Sequence, residues 1–412
     1  MYKKSKVKPL FGAALLAGSA VLSTPVGAAT DAMMDLLKIL RDKGSLTNDE
    51  YQMLVNAAKA DDEKTEAVKT EVTKTVDDKL AAAAKTTESM SWASKVKVKG
   101  DMRVRYQYQD KDGTINRDRG RVRARAGIIA TPTDGWEVGL GLASGSSDLR
   151  STNQSFDETF STKAINMDYG YVQYAFSSQL KGIAGKFQFK NYLYTPTDLM
   201  WDGDINPEGA SLNFGFANGV GKGWVNGGLW VLEENSGSKK DPWMGYVQLG
   251  QGFGSGDISG KIAATYYGFE ELTSLGSIAT DGTNTDYRFS IINLAAELGT
   301  NLANGKASIF GEYVNNLDTK TSQDNGFSIG AKFATGDWEF KYIYADLDAN
   351  AVPDILPDSD RYDGLTDMKG HEFIVEYGIM KNVTLGLDYY RTRRKSTHID
   401  QDILQADVVV KF

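Results

Sequence analysis

The sequence contains no cysteine, which excludes disulfides, thiol nucleophiles and thiolate metal sites together. It has two histidines, His371 and His398. Neither sits in a motif, so an imidazole zinc site or a Ser-His-Asp triad has little to draw on. Proline is scarce, 8 residues against 43 glycines. That suits a chain rich in hydrogen-bonded ladders, to which proline cannot donate. No apolar run reaches the ~18 residues of a membrane-spanning helix, and the mean hydropathy is -0.37. A helical membrane protein is therefore excluded. A membrane β-barrel is not, because a wall with one apolar and one polar face averages to a polar composition. The net charge of -8 speaks to solubility and loop character, and does not set the sign of an interior.

What is present is alternation. In Lys95–Gln109, Val96, Val98, Gly100, Met102, Val104, Tyr106 and Tyr108 fall on one parity, and Lys97, Lys99, Asp101, Arg103, Arg105, Gln107 and Gln109 on the other. A period of two over that length predicts one extended strand, longer than the ~9–11 residues needed to cross a bilayer at a tilt. About sixteen such segments follow one another from Lys95 to Phe412. They predict an all-β transmembrane fold, a sixteen-stranded antiparallel outer-membrane barrel with a polar lumen. Short connections (Thr335–Asp337, Ile379–Asn382) alternate with long ones (Lys190–Gly209, Leu347–Gly370), which places both barrel ends on the periplasmic side. Trp136, Trp224 and Trp338 each follow a short turn and predict an aromatic girdle at one depth. Tyr287–Leu298 breaks the alternation, since Phe289 and Ile291 share one parity and Ile292, Leu294, Ala296 and Leu298 the other. A bulge near Ile291 would reconcile them.

The N-terminal part is a different material. Met1–Ala29 has a lysine-rich start, a short apolar core over Leu10–Leu22 and a small-residue cleavage site, as a secretory signal does. Residues 30–94 read as a periplasmic helical segment. Leu36, Leu37 and Leu40 precede Gly44 as a stop, and Thr47 with Glu50 forms a capping box. Val68, Val72, Val76 and Leu80 make a narrow seam that supports either a coiled coil or a solvated single helix. Residues 95–412 form the barrel.

Leu36–Leu54, then Gly100-Asp101-Met102-Arg103-Val104-Arg105 with Arg119-Gly120-Arg121-Val122-Arg123-Ala124-Arg125, and later Trp201-Asp202-Gly203-Asp204 resemble blocks of the bacterial "putative porin" family. The helical segment is also distantly similar to that of phosphate-selective porins. The resemblance implies a trimeric outer-membrane channel that passes ions and small polar solutes by diffusion, and it assigns no solute. Phe412 at the end of an alternating strand resembles the signal that barrel-insertion machinery reads. Its removal is expected to hurt assembly more than folded stability.

The candidate functional residues are basic. With valine and alanine facing lipid, Lys97, Lys99, Arg103, Arg105, Arg119, Arg121, Arg123 and Arg125 face the lumen, because a charge on the lipid face costs about 2–4 kcal/mol near the midplane. Such a ladder persists only with water, anions or facing carboxylates. By resemblance to general porins, whose third long loop folds into the lumen, Lys190–Gly209 is the candidate constriction loop, with Asp198, Asp202, Asp204 and Glu208 as its acids. Gly145–Lys163 competes for that role. Acid on the loop opposite base on the wall would set a transverse field. Three readings stay open: general diffusion, preference for phosphate, sulfate or organic acids, and a ladder paired structurally with wall carboxylates. An envelope tether and an outer-membrane hydrolase are rivals, the latter without a motif. Asp202-Gly203-Asp204-Ile205-Asn206 starts like a calcium loop, but Pro207 replaces the expected glycine and Asn213 the closing glutamate. No metal, cofactor or nucleic-acid partner is expected. The expected partners are outer-membrane lipid and lipopolysaccharide, the insertion machinery, small polar or anionic solutes and two further copies of the chain.

Overall fold

The computed structural model describes residues 26–89, 91–237, 239–275, 284, 288–318 and 322–412. It divides into a helical unit up to Ser91 and a barrel unit from Trp92. The signal sequence lies outside the described residues as far as residue 25. Helix α1 (Val26–Asp42) ends at Gly44, whose φ of +72° is open to glycine. Helix α2 (Asn48–Ser89) starts at the capping box, with the Thr47 amide donating to Glu50 Oε2 at 2.9 Å and the Glu50 amide to Thr47 Oγ1 at 3.3 Å. Leu37 and Val55 are buried between the two helices, and Arg41 lies 4.6 Å over the Tyr51 ring. Val68, Val72 and Val76 are exposed in this single chain.

The barrel strands are β1 (Val96–Lys111), β2 (Arg117–Ala130), β3 (Trp136–Ser144), the two-residue β4 (Gln154–Ser155), β5 (Ile165–Ala175), β6 (Leu180–Lys186), β7 (Glu208–Ala217), β8 (Lys222–Val231) and β9 (Trp243–Ser255). The wall continues through β10 (Ile258–Glu270), β11 (Ser290–Leu302), β12 (Gly305–Asn316), β13 (Asn325–Thr335), β14 (Trp338–Leu347), β15 (Met368–Met380), β16 (Val383–Arg394) and β17 (Asp400–Lys411). Each long strand pairs antiparallel with the next, β3 with β5, and β4 only with the upper part of β2. β1 pairs with β17 in a register that sets Val104 opposite Val408. The result is a closed sixteen-stranded antiparallel barrel, and closure leaves no open edge to template aggregation. The seam continues past β17, where Gly100 and Phe412 exchange backbone hydrogen bonds of 2.9 and 3.0 Å.

Outward positions are apolar and exposed, as at Val98, Met102, Val104 and Tyr106. Trp136 and Trp338 lie on that face, packed at a tilt against Tyr174 and Tyr377 with ring centroids 4.7 and 4.5 Å apart. Trp224 corrects the girdle expectation. It shares parity with buried Asn226 and Trp230, and its Nε1 donates to Gln248 Oε1 at 3.0 Å inside the barrel. The bulge expected near Ile291 is also absent, since β11 pairs with both neighbours without a shift. Ile291 points inward and is fully buried. The interior is therefore not polar all round. Residues 187–207 and 348–367, both long connections, fold into the barrel and pack an apolar cluster against the inward faces of β8 to β15. Trp201 is its hub, with Trp230 at 5.4 Å, Phe189 at 5.7 Å and Tyr267 at 6.0 Å between ring centroids. Each such side chain withdrawn from water contributes roughly 1.5–3 kcal/mol, enough together to hold the loops in place.

Candidate functional site

The remaining side of the interior is polar, and the β1–β2 hairpin forms it. Register sets Arg103 opposite Arg123 and Arg105 opposite Arg121, like charges directly across a ladder, which is unfavourable without counterions. Two wall carboxylates answer part of this charge. Asp101 accepts from Arg123 Nη2 at 2.9 Å and Arg125 Nε at 2.8 Å. Asp407 on β17 takes Arg105 in a bidentate fork, both contacts 2.7 Å, and lies 3.7 Å from Arg103. Such forks are the strongest form of this pairing. Among the described residues the hydrogen-bond acceptors of Arg119 and Arg121 are neutral: Gln109 Oε1 at 3.2 Å, Gln107 Oε1 at 3.0 Å and Ser151 Oγ at 3.4 Å. Arg103 also donates to Asn153 at 2.7 Å. Lys97 and Lys99 are exposed at the short-turn end.

The acids proposed for the constriction loop separate in space. Asp204 accepts from Arg125 Nη1 at 3.3 Å, so it meets the ladder. Asp202 is buried and ties the two inward segments together: its Oδ2 accepts from the Ser359 amide at 2.9 Å and its amide donates to the Leu356 carbonyl at 2.8 Å. Asp198 is half-buried, and its carbonyl accepts from the Asp358 amide at 3.4 Å. Glu208 leaves the set. It opens β7 opposite outward-facing Val231, is exposed, and pairs with Lys186 at 3.0 Å. It faces away from the interior because strand parity, which starts at this residue, overrides its position in the sequence of the loop.

The segment 348–367 supplies acids that the strand pattern does not reveal. Asp360 reaches Arg105 Nη1 at 3.2 Å, and Asp363 reaches Lys111 at 2.8 Å and Gln109 at 2.9 Å. Arg361, almost fully buried, anchors the segment to Glu372 on β15 at 2.7 Å. Gly145–Lys163 also enters, with Arg150 Nη1 donating to the carbonyls of Asp354 and Gly364 at 3.1 and 2.9 Å. Asp101 and Asp407 could have been found from sequence, since each sits on the polar parity of its strand. Asp360 carried no such signal.

The inward loops hold carboxyls whose protonation bears on their docking. Burial pushes Asp358 up to about 7; Arg361 opposes this, and Asp360, Glu372 and Asp198 add to it. Burial, then Asp358 and Asp204, raise Asp202 as well. A carboxyl whose folded value lies above its ordinary 3.8 stabilises the docked arrangement fully below that pH, and the contribution is lost as pH rises through about 7. Single-channel records are therefore expected to be quietest near the acid end and to gain fluctuations between these values. Asp358→Asn should flatten the dependence; an unchanged pH profile in that variant would remove Asp358 from the account.

A family model described as "putative porin" matches residues 108–291 and 278–412. A search of curated protein sequences finds no match. Among solved structures, a five-substitution mutant of the Rh. blastica porin is 11% identical with a TM-score of 0.46, and the alignment covers 77% of this chain and 100% of that one. A triple mutant of the Rhodopseudomonas blastica porin is 10% identical with a TM-score of 0.45 at the same coverage.

Proposed function

This chain belongs to the "putative porin" family of outer-membrane β-barrel channels, and on that premise we propose that it passes ions and small polar solutes by diffusion through a water-filled path along the basic wall. The observation that carries the reading is the opposition of the β1–β2 ladder to the acidic edge of the inward loops, Asp204, Asp360 and Asp363. Base on one side and acid on the other make a transverse field that orients polar solutes and screens against apolar ones. In this reading Lys97 and Lys99 line the mouth at the short-turn end, Arg103, Arg105, Arg119, Arg121, Arg123 and Arg125 line the path, and the barrel assembles as a trimer. The signal sequence is removed on export, and the helical segment stands in the periplasm.

Anion preference is the second reading, favoured by Arg119 and Arg121, which hold no carboxylate among the described residues. Reversal potential in a planar bilayer across a KCl gradient decides between them. A weak bias supports general diffusion; a strong Cl⁻ preference supports anion selection. Arg119→Gln with Arg121→Gln should shift the reversal potential toward cations while Arg123→Gln, whose partner is Asp101, moves it less. Equal effects would deny the two arginines a distinct role. No conductance from refolded mature protein would overturn the channel reading.

Phe412 acts as the assembly signal in this proposal. Its ring lies over Gly100, where an added Cβ would stand 2.5 Å from the ring, so deletion also removes a contact at the seam. Outer-membrane yield of the deletion should fall several-fold while the unfolding midpoint of the barrel that does insert changes little. Equal yields would sink the assignment.

A further inference from the structure

Among the described residues the lipid-facing surface of the strands carries almost no basic side chains, and all but one of the exceptions are gathered at one place. Lys186 faces outward and is paired with Glu208. The other outward cations and the one outward histidine of the described strands form a square on β15 and β16. Lys369 stands opposite Arg393 and His371 opposite Arg391, at the long-loop end, one step above an outward aromatic row of Tyr342, Phe373 and Tyr389. Within the square only Arg393 has a carboxylate fork, to Asp400 at 2.7 Å. Neighbouring Asp346 is taken by Lys395 at 2.6 Å, and Asp402 by the Tyr389 hydroxyl at 2.8 Å. Lys369 and Arg391 have no ion-pair partner among the described residues. The Tyr342 hydroxyl fixes the His371 ring at 2.8 Å from Nδ1.

Like charges placed directly opposite each other weaken a sheet, and charges on the outer face are tolerated only near the membrane interface. The aromatic row marks that interface, since amphipathic rings sit at headgroup level. We propose that Lys369, His371 and Arg391, with Arg393 behind them, bind a phosphoryl group of the lipopolysaccharide headgroup in the external leaflet. Opposite residues on adjacent strands lie ~5 Å apart and next-nearest residues along a strand ~7 Å apart, a spacing at which one phosphate can meet several donors. A guanidinium and an ammonium together supply both a fork and a point charge for phosphate. The external position rests on the long loops facing outward.

The test uses the purified full-length mature barrel in detergent and three lipids: diphosphorylated lipid A, the same lipid with both phosphates removed, and phosphatidylglycerol. Native mass spectrometry counts the retained lipid. Diphosphorylated lipid A is expected to bind roughly tenfold or more tighter than the dephosphorylated form, as the loss of charge-assisted hydrogen bonds implies. Lys369→Gln with Arg391→Gln should erase the difference. Equal retention of the two lipid A forms by the unaltered protein overturns the proposal without any variant having to fold. Equal affinity for phosphatidylglycerol overturns the glycolipid assignment, and an unchanged preference in the double variant overturns the site. None of these readouts depends on conductance, so failure here and failure of the channel reading are distinguishable.

Discussion

Replacing residues 349–366 with a short glycine-serine turn should raise single-channel conductance at least about twofold, because a wall of sixteen strands encloses an aqueous channel unless something fills it. Here the filler is this segment. Ala351, Val352, Ile355, Leu356 and Tyr362 are essentially without solvent exposure, and they seat against residues 199–205 of the other inward loop. Trimming residues 234–237, which lie outside the apolar cluster, should leave conductance unchanged. If both deletions behave alike, the conducting path does not run where the ladder meets the loops. Loss of the segment also exposes Trp201, so open-channel noise should rise with the conductance.

Arg105→Ala should destabilise the barrel by about 3–5 kcal/mol, the usual result of leaving a buried ion unpaired. Arg105 is 6% exposed and joins Asp407 and Asp360 at one point, so truncation removes the near partner of both carboxylates and leaves Asp407 only Arg103 at 3.7 Å. Equilibrium urea unfolding of vesicle-inserted protein measures the loss. Arg105→Met combined with Asp407→Leu should recover part of it, since the uncompensated wall charge is then gone. A single variant as stable as the unaltered protein would mean that water already screens this pair. In bilayers the same truncation should bias permeation toward cations.

Most of the wall was legible because lipid enforces it: outward residues must be mainly apolar, and the period of two survives wherever the inward face is polar. Val98 to Tyr108 and Leu404 to Val410 are read from that rule alone. Legibility failed where the inside is apolar too. Ile291 and Ile292 face opposite ways and are both hydrophobic, one for the inward cluster and one for lipid, so the pattern mimics a bulge. Trp224 and Trp136 occupy the same place after a turn and differ only in parity. The candidate site divides in the same way. Arginines on strands declare their side, and so do Asp101 and Asp407. Asp360, Asp363 and Ser359 sit in a connection without periodicity, and their positions are set by the burial of Ile355, Leu356 and Tyr362 beside them.

The seam has a consequence for the rate at which the barrel forms. Every other wall contact joins strands that are neighbours in sequence or nearly so, and a hairpin closes a short loop. Arg105 and Asp407 are separated by 302 residues, and β1 and β17 meet along their length. Contacts of such separation demand the ordering of the intervening chain before they return any energy, which makes them slow. The ladder on β1 therefore waits for the last strand before its best counterion arrives. A chain cut short before Asp407 can form hairpins, but it leaves Arg105 without its forked partner and with Asp360 alone to answer it, an unclosed state distinguishable from the native one by charge.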